Sequence, residues 1–137
     1  MAGYSGKNLA QKLGIKDGMK LMLMNAPKNY FDMLEDLPSK VKRLKGDKEE
    51  ADFIHAFVKT SAQLKKNLPA LLKQLNQDGM IWISWYKKSS GMQTDVTEDT
   101  IRAVALPIGL VDVKVCAVDD QWSGLKLVIR KENRTKK

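Results

Sequence analysis

The sequence predicts an α/β domain: a mostly parallel sheet covered by helices on both faces, in three layers. Three observations point there. Apolar runs of strand length alternate with segments of helical periodicity. Two of the runs, residues 19–24 (MKLMLM) and 80–86 (MIWISWY), are almost wholly apolar, as strands buried on both faces are. The last two runs are joined so closely that they must pair antiparallel.

Each element follows in order. Leu9, Leu13 and Ile15 predict a short helix or docked turn, punctuated by Gly14 and Gly18. Residues 19–24 form the first strand. Pro27 suits the first turn of a helix, where its missing N–H has no partner to lose. Tyr30, Phe31, Met33, Leu34 and Leu37 give that helix an apolar face, and Pro38 stops it. Residues 41–44 are a weak edge strand flanked by basic residues. Residues 52–58 (DFIHAFV) are a third strand.

Thr60 caps the next helix, with Gln63 reaching back as in a capping box. Leu64, Leu68, Leu71, Leu72 and Leu75 form its buried stripe. Pro69 is expected to kink or split it, and Asp78-Gly79 to end it. Residues 80–86 are a central strand, with Trp82 and Trp85 on opposite faces. Asp95, with Glu98 three residues on, is expected to cap a helix that closes at Pro107 and Gly109. Residues 111–118 and 125–130 make the final hairpin, with Trp122 in its turn, either folded over the sheet edge or exposed to a partner.

The chain has 137 residues, enough for one domain that buries about two thirds of its unfolded surface. The expected organisation is a single domain over 1–137, with 1–18 docking on it and 131–137 as a flexible basic tail. The single cysteine, Cys116, makes no internal disulfide. The opening residues hold no apolar core of signal-peptide length, and no apolar run is long enough to span a membrane. A cytoplasmic location without membrane contact is expected. The net charge is +8. Arg130, Lys131, Arg134, Lys136 and Lys137 crowd the end, a solvated tail or a contact for nucleic acid or an acidic partner.

Two stretches carry a resemblance. DGMIWISW with the helix after it, and LVDVKVCAVDDQWSGLKLV, resemble the second half of a Rossmann-like methyltransferase. The resemblance covers most of residues 19–130 in pattern. It implies strand order 2-1-3-4-6-5, with the sixth strand antiparallel. The whole chain also resembles the bacterial domain-of-unknown-function family 3052, through MAGYSGKNLAQKLGIKDGMK, TDVTEDTIRAVALPIGLVDVKVCAVD and WSGLKLVIRKENR. That resemblance implies the same fold and a bacterial source, with no substrate and no catalytic residues.

The methyltransferase resemblance implies a Gly-x-Gly turn after the first strand to approach S-adenosylmethionine. Residues 25–29 contain no glycine, and Pro27 removes one backbone donor. The acidic residue that should meet the ribose has one nearby candidate, Asp47. The sequence therefore predicts no cofactor, disfavours S-adenosylmethionine, and leans away from catalysis toward a binding or interaction protein. Two alternatives stand beside it: an enzyme or sensor for a small anionic ligand, and a nucleic-acid accessory protein using its basic surface.

Ligands of open α/β sheets bind beyond the carboxyl ends of the strands. That rule selects Asn25 after the first strand, Lys59, Thr60 and Ser61 after the third, and the stretch from Lys87 to Asp95 after the fourth. The expected binding rim is Asn25, Lys87, Lys88 and Asp95; the plain alternative is a solvated loop with a structural cap. His55, the one histidine, reads as a satisfied core group and becomes a general base only if it reaches a pocket. Cys116 reads as a packed thiol. No spacing of Cys, His, Asp and Glu suggests a metal site, and no nucleophile-elbow or phosphate-loop pattern occurs.

Overall fold

The apolar run at residues 19–24 becomes β1 (Lys20–Met24), which lies inside a six-stranded sheet. The computed structural model describes residues 8–34, 37–46 and 48–134. Before β1 comes α1 (Leu9–Leu13), started by a capping box at Asn8 and Gln11 and ended by Gly14 at a φ of 93°. After β1 come α2 (Tyr30–Leu34), β2 (Lys42–Arg43), β3 (Ala51–Phe57), α3 (Ser61–Gln74) and β4 (Leu75–Tyr86). The chain ends with α4 (Glu98–Ala105), β5 (Leu110–Ala117) and β6 (Trp122–Ile129). The strand order is β2-β1-β3-β4-β6-β5. The first four strands run parallel, and β6 pairs antiparallel with both β4 and β5. This is the order implied by the methyltransferase resemblance.

Alternation along the strands sorts side chains into two cores. On one face Leu64, Leu68 and Leu71 of α3 and Ile101 and Ala105 of α4 pack on Ile54, Ile81, Ile83, Trp85, Leu125 and Leu127. On the other, Leu9 and Leu13 of α1 and Tyr30 and Leu34 of α2 pack on Leu21, Phe53, Phe57, Trp82 and Trp122. Trp82 and Trp85, three residues apart, therefore serve opposite cores. The Trp82 indole N–H donates to the Leu13 carbonyl at 2.8 Å, which fixes α1 on the sheet. Arg102 of α4 donates to Asp112 of β5 at 2.9 Å and pairs with Glu98 and Asp99 of its own helix. These contacts hold its guanidinium in the charged form.

Several expectations are corrected. Asp78-Gly79 does not end α3; the helix stops at Gln74, and both residues lie inside β4. The register explains why. Ala51 pairs with Leu75 and Phe53 with Met80, so residues 76–79 bulge out between them. A Cβ on Gly79 would stand 2.8 Å from the Asp52 carbonyl oxygen, so the bulge requires glycine. α3 also runs unbroken through Pro69, which sits on its exposed side. Trp122 is no exposed turn residue. It begins β6, is 6% exposed and stacks on Tyr86 with ring centroids 4.2 Å apart. Gly3-Tyr4-Ser5-Gly6 and the last three residues of the basic tail lie outside the described residues. Among those described, no helix is long and apolar enough to cross a membrane.

His55 is a satisfied core group, as expected. Its ring is fully buried, with Nδ1 2.9 Å from the Tyr30 hydroxyl and Nε2 2.7 Å from the Ser84 hydroxyl. It also stacks on Phe57 at 4.4 Å. Burial pulls its pKa down to about 3 and pushes the Tyr30 phenol well above its usual value. The ring is neutral, and one of its nitrogens accepts while the other donates.

Two outcomes follow from these contacts. Gly79→Ala should destabilise the fold by about 1–3 kcal/mol in urea unfolding, because the new methyl group meets backbone. Between pH 6.5 and about 3 the unfolded chain binds a proton at His55 that the folded chain refuses. Stability therefore falls with acid over that window, with this group contributing a slope of up to about 1.4 kcal/mol per pH unit. Urea titrations at several pH values should show His55→Leu lacking that part of the slope, so its deficit against wild type shrinks as the pH drops.

Candidate functional site

β1 lies between β2 on one side and β3 on the other, so chain order reverses at its carboxyl end. That reversal opens a crevice in sheets of this kind. The chain leaves β1 through Asn25, whose φ is 57°. It is the one non-glycine residue with positive φ among those described. Asparagine reaches the left-handed region more readily than other residues with a side chain. Two residues on, the Pro27 carbonyl accepts from the Tyr30 N–H at 3.0 Å and starts α2. The turn is thus made without glycine.

Beside it, β3 and β4 end together, with the Val58 N–H donating to the Ser84 carbonyl at 2.9 Å. Thr60 then caps α3, accepting from the Gln63 N–H at 3.1 Å. Gln63 reaches past the cap and accepts from the Lys59 N–H at 2.7 Å. From the end of β4 a loop runs through Lys88, turns at Gly91 with a φ of 75°, and returns to Asp95. Between the two loops lies an open cleft of about 680 Å³, lined by Lys59, Thr60, Lys88, Met92, Thr94 and Asp95 among others.

Side chains stitch the two loops together. Asp95 accepts from the Ser61 N–H at 2.7 Å and from the Ser61 hydroxyl at 2.8 Å. The Thr94 hydroxyl donates to the Lys59 carbonyl at 2.7 Å. The Ser61 bonds hold the Asp95 carboxyl below the usual carboxylate range. Asp95 is therefore not the cap of α4. Thr97 fills that role in a capping box with Thr100, and Asp95 serves α3, thirty-four residues earlier in the chain. No local pattern could have revealed that partner.

The structure separates the four expected rim residues. Lys88 and Asp95 line the cleft, joined by Lys59 and Thr60. Asn25 makes the β1 turn and is not among the lining residues. Lys87 is not among the lining residues; its N–H donates to the Gln121 carbonyl at 2.8 Å, and its charge acts on Cys116 of β5. His55 is sealed in the core and opens to no cavity. Cys116 is half-buried, and burial pushes its thiol up, away from the reactive thiolate. Asp47 lies outside the described residues. After β2 the chain turns back to the amino end of β3, where the Gln74 amide donates to the Gly46 and Glu49 carbonyls. A second concavity, of about 550 Å³, sits at the β2 edge, lined by β2, by residues 44–46 that follow it and by Lys48 and Glu49.

No family model matches this chain, and no curated protein matches its sequence. Solved structures do. A SAM-dependent methyltransferase from Aquifex aeolicus superposes with a TM-score of 0.61 over 88% of this chain and 87% of its own, at 14% identity. Fibrillarin from Aeropyrum pernix, with natively bound S-adenosyl-L-methionine, gives 0.58 over 88% and 73%, at 13% identity. Ribosomal protein L11 methylase from Lactobacillus delbrueckii subsp. bulgaricus gives 0.55 over 88% and 74%, at 12% identity. The chain has the Rossmann-like fold of these methyltransferases. The resemblance to family 3052 has no matching family model behind it.

These matches overturn three expectations: a non-catalytic protein, a lean away from enzyme activity, and S-adenosylmethionine disfavoured. The expectations rested on the absence of glycine from residues 25–29 and on the donor lost at Pro27; the structure makes the turn after β1 with Asn25 at a φ of 57°.

Asp95→Ala should expose the Ser61 amide, raising its hydrogen-exchange rate and lowering the melting temperature at pH 7. The Asp95 pKa is depressed in the fold, so its contribution is complete above about pH 4 and disappears as acid protonates it below that. Melting curves of the two proteins should converge at low pH.

Proposed function

We propose that this protein is a methyltransferase that binds S-adenosylmethionine at the carboxyl ends of β1, β3 and β4. The observation that carries the reading is the match of fold, over 88% of this chain and 87% of the other, with a SAM-dependent methyltransferase. Two features of this chain support it. The Asn25 turn lets backbone curl away at the end of β1, and the neighbouring cleft falls within the roughly 300–1,000 Å³ usual for small-molecule sites.

Bound there, S-adenosylmethionine would supply an electrophilic methyl group. Lys59 and Lys88 place two ammonium groups at the rim, suited to the carboxylate of its amino-acid end. Thr60 and Thr94 add hydroxyls, and Met92 adds apolar surface. The Asp95 carboxylate stays ionised through its Ser61 bonds, so it positions the Lys59–Ser61 turn and does not exchange protons near neutral pH. Asn25, Lys88 and Asp95 of the expected rim keep a role in this reading; Lys87 does not.

Calorimetric titration with S-adenosylhomocysteine, the product form, tests the reading. Saturable binding is expected, with a gain of about 2.7 kcal/mol in stability at a hundredfold excess over Kd. The double substitution Lys59→Ala and Lys88→Ala should weaken it about tenfold or more with the fold intact, as expected for two charge-assisted contacts. Absence of any heat or melting shift at millimolar ligand, with either cofactor form, would refute it.

A further inference from the structure

The two faces of the sheet are unequally covered. α3 and α4 span one face, whereas the other carries only the five-residue α1 and α2 among the described residues. Over β5 and β6 that second face carries lysines. Lys126 lies on the same side of β6 as Trp122 and Gly124, and Lys114 of the edge strand β5 is its direct cross-strand partner. Like charges placed directly opposite in a sheet oppose folding. Lys16, just beyond α1, adds a third charge near Lys126, and Lys12, Lys87 and Lys114 surround Cys116 next to it. Among the described residues none of these five lysines forms an ion pair; the paired cations are Lys20, Lys42 and Arg102.

We propose that this face binds the phosphodiester backbone of a nucleic acid strand, laid across β5 and β6 and led by Lys87 toward the cleft that its neighbour Lys88 lines. Several observations select that ligand. The lysines are point charges without the planar fork that reads a carboxylate or a base edge. The nearest aromatic rings, Tyr86 and Trp122, are buried against each other and offer no stacking platform for bases. Protein interfaces are poor in lysine and centred on apolar anchors, which this patch lacks. The whole chain carries +8, which favours a polyanion. The inference concerns binding alone and stands whether or not the cleft holds S-adenosylmethionine.

The test is fluorescence anisotropy with a labelled 20-nucleotide single-stranded RNA, without cofactor, at several salt concentrations. Wild type should bind with affinity falling steeply as salt rises, by about 0.7 log units per log unit of salt for each phosphate engaged. The triple substitution Lys16→Gln, Lys114→Gln and Lys126→Gln should weaken binding at low salt at least about tenfold and flatten that slope by about two. Lys65→Gln, Lys66→Gln and Lys73→Gln on α3 make the same change in net charge on the opposite face, and should leave both nearly unchanged. Lys114→Gln alone, exposed on an edge strand, should already flatten the slope by about 0.7 without risk to the fold. Equal weakening by both triple variants would reduce the effect to net charge and overturn the proposal. Competition by polyglutamate as effective as that by unlabelled RNA would overturn it in favour of an acidic protein.

Discussion

The hydrogen-bonded chain from Tyr30 through His55 to Ser84 ties together the parts of this molecule that matter for its site. Tyr30 starts α2, His55 sits in the middle of β3, and Ser84 lies near the end of β4. All three side chains are shut away from water. A buried polar network is stable only when every member is satisfied, and here each ring nitrogen has a hydroxyl. A one-residue slip of β3 against β4 would turn His55 to the opposite core and orphan two hydroxyls. The network therefore holds in register the strands whose carboxyl ends shape the cleft. His55, the side chain best suited to proton transfer by type, is committed to architecture.

Above that network the site is assembled from loops, and loops need their own bracing. Asp95 and Thr94 reach across to Ser61 and Lys59, converting two flexible connections into one cross-linked wall. Ser90 folds back on the Lys87 carbonyl at 2.7 Å and stiffens the second loop internally. Each bond is exposed or half-buried and individually modest. Together they brace the backbone at Lys59 and next to Lys88, which would lower the ordering cost of the binding proposed there.

The two faces of the sheet have different tasks. One is sealed by α3 and α4 and braced by the Arg102–Asp112 ion pair. The other is sealed over β1, β3 and β4, yet at β5 and β6 it carries lysines without counter-ions among the described residues. Repulsion between Lys114 and Lys126 works against folding, and a fold that tolerates it at a strand pair carries a charge pattern suited to something outside itself.

By itself the sequence determined what depends on neighbours along the chain. Strand and helix periodicity, the cap at Thr60, the closing turn at Gly109, the opposite faces of Trp82 and Trp85 and the final hairpin were all legible, because each is set within a few residues. Strand order followed from a resemblance in pattern. Tertiary structure decided whatever depends on a partner far away in sequence. It moved Asp95 from α4 to α3, drew Asp78-Gly79 into a bulge against Asp52, buried Trp122 under Tyr86 and left Lys87 out of the cleft that Lys88 lines. The turn after β1 belongs to both. Asparagine is written in the sequence, but only the closed sheet, with α2 pinned through Tyr30 and His55, obliges that asparagine to take the left-handed conformation of a glycine.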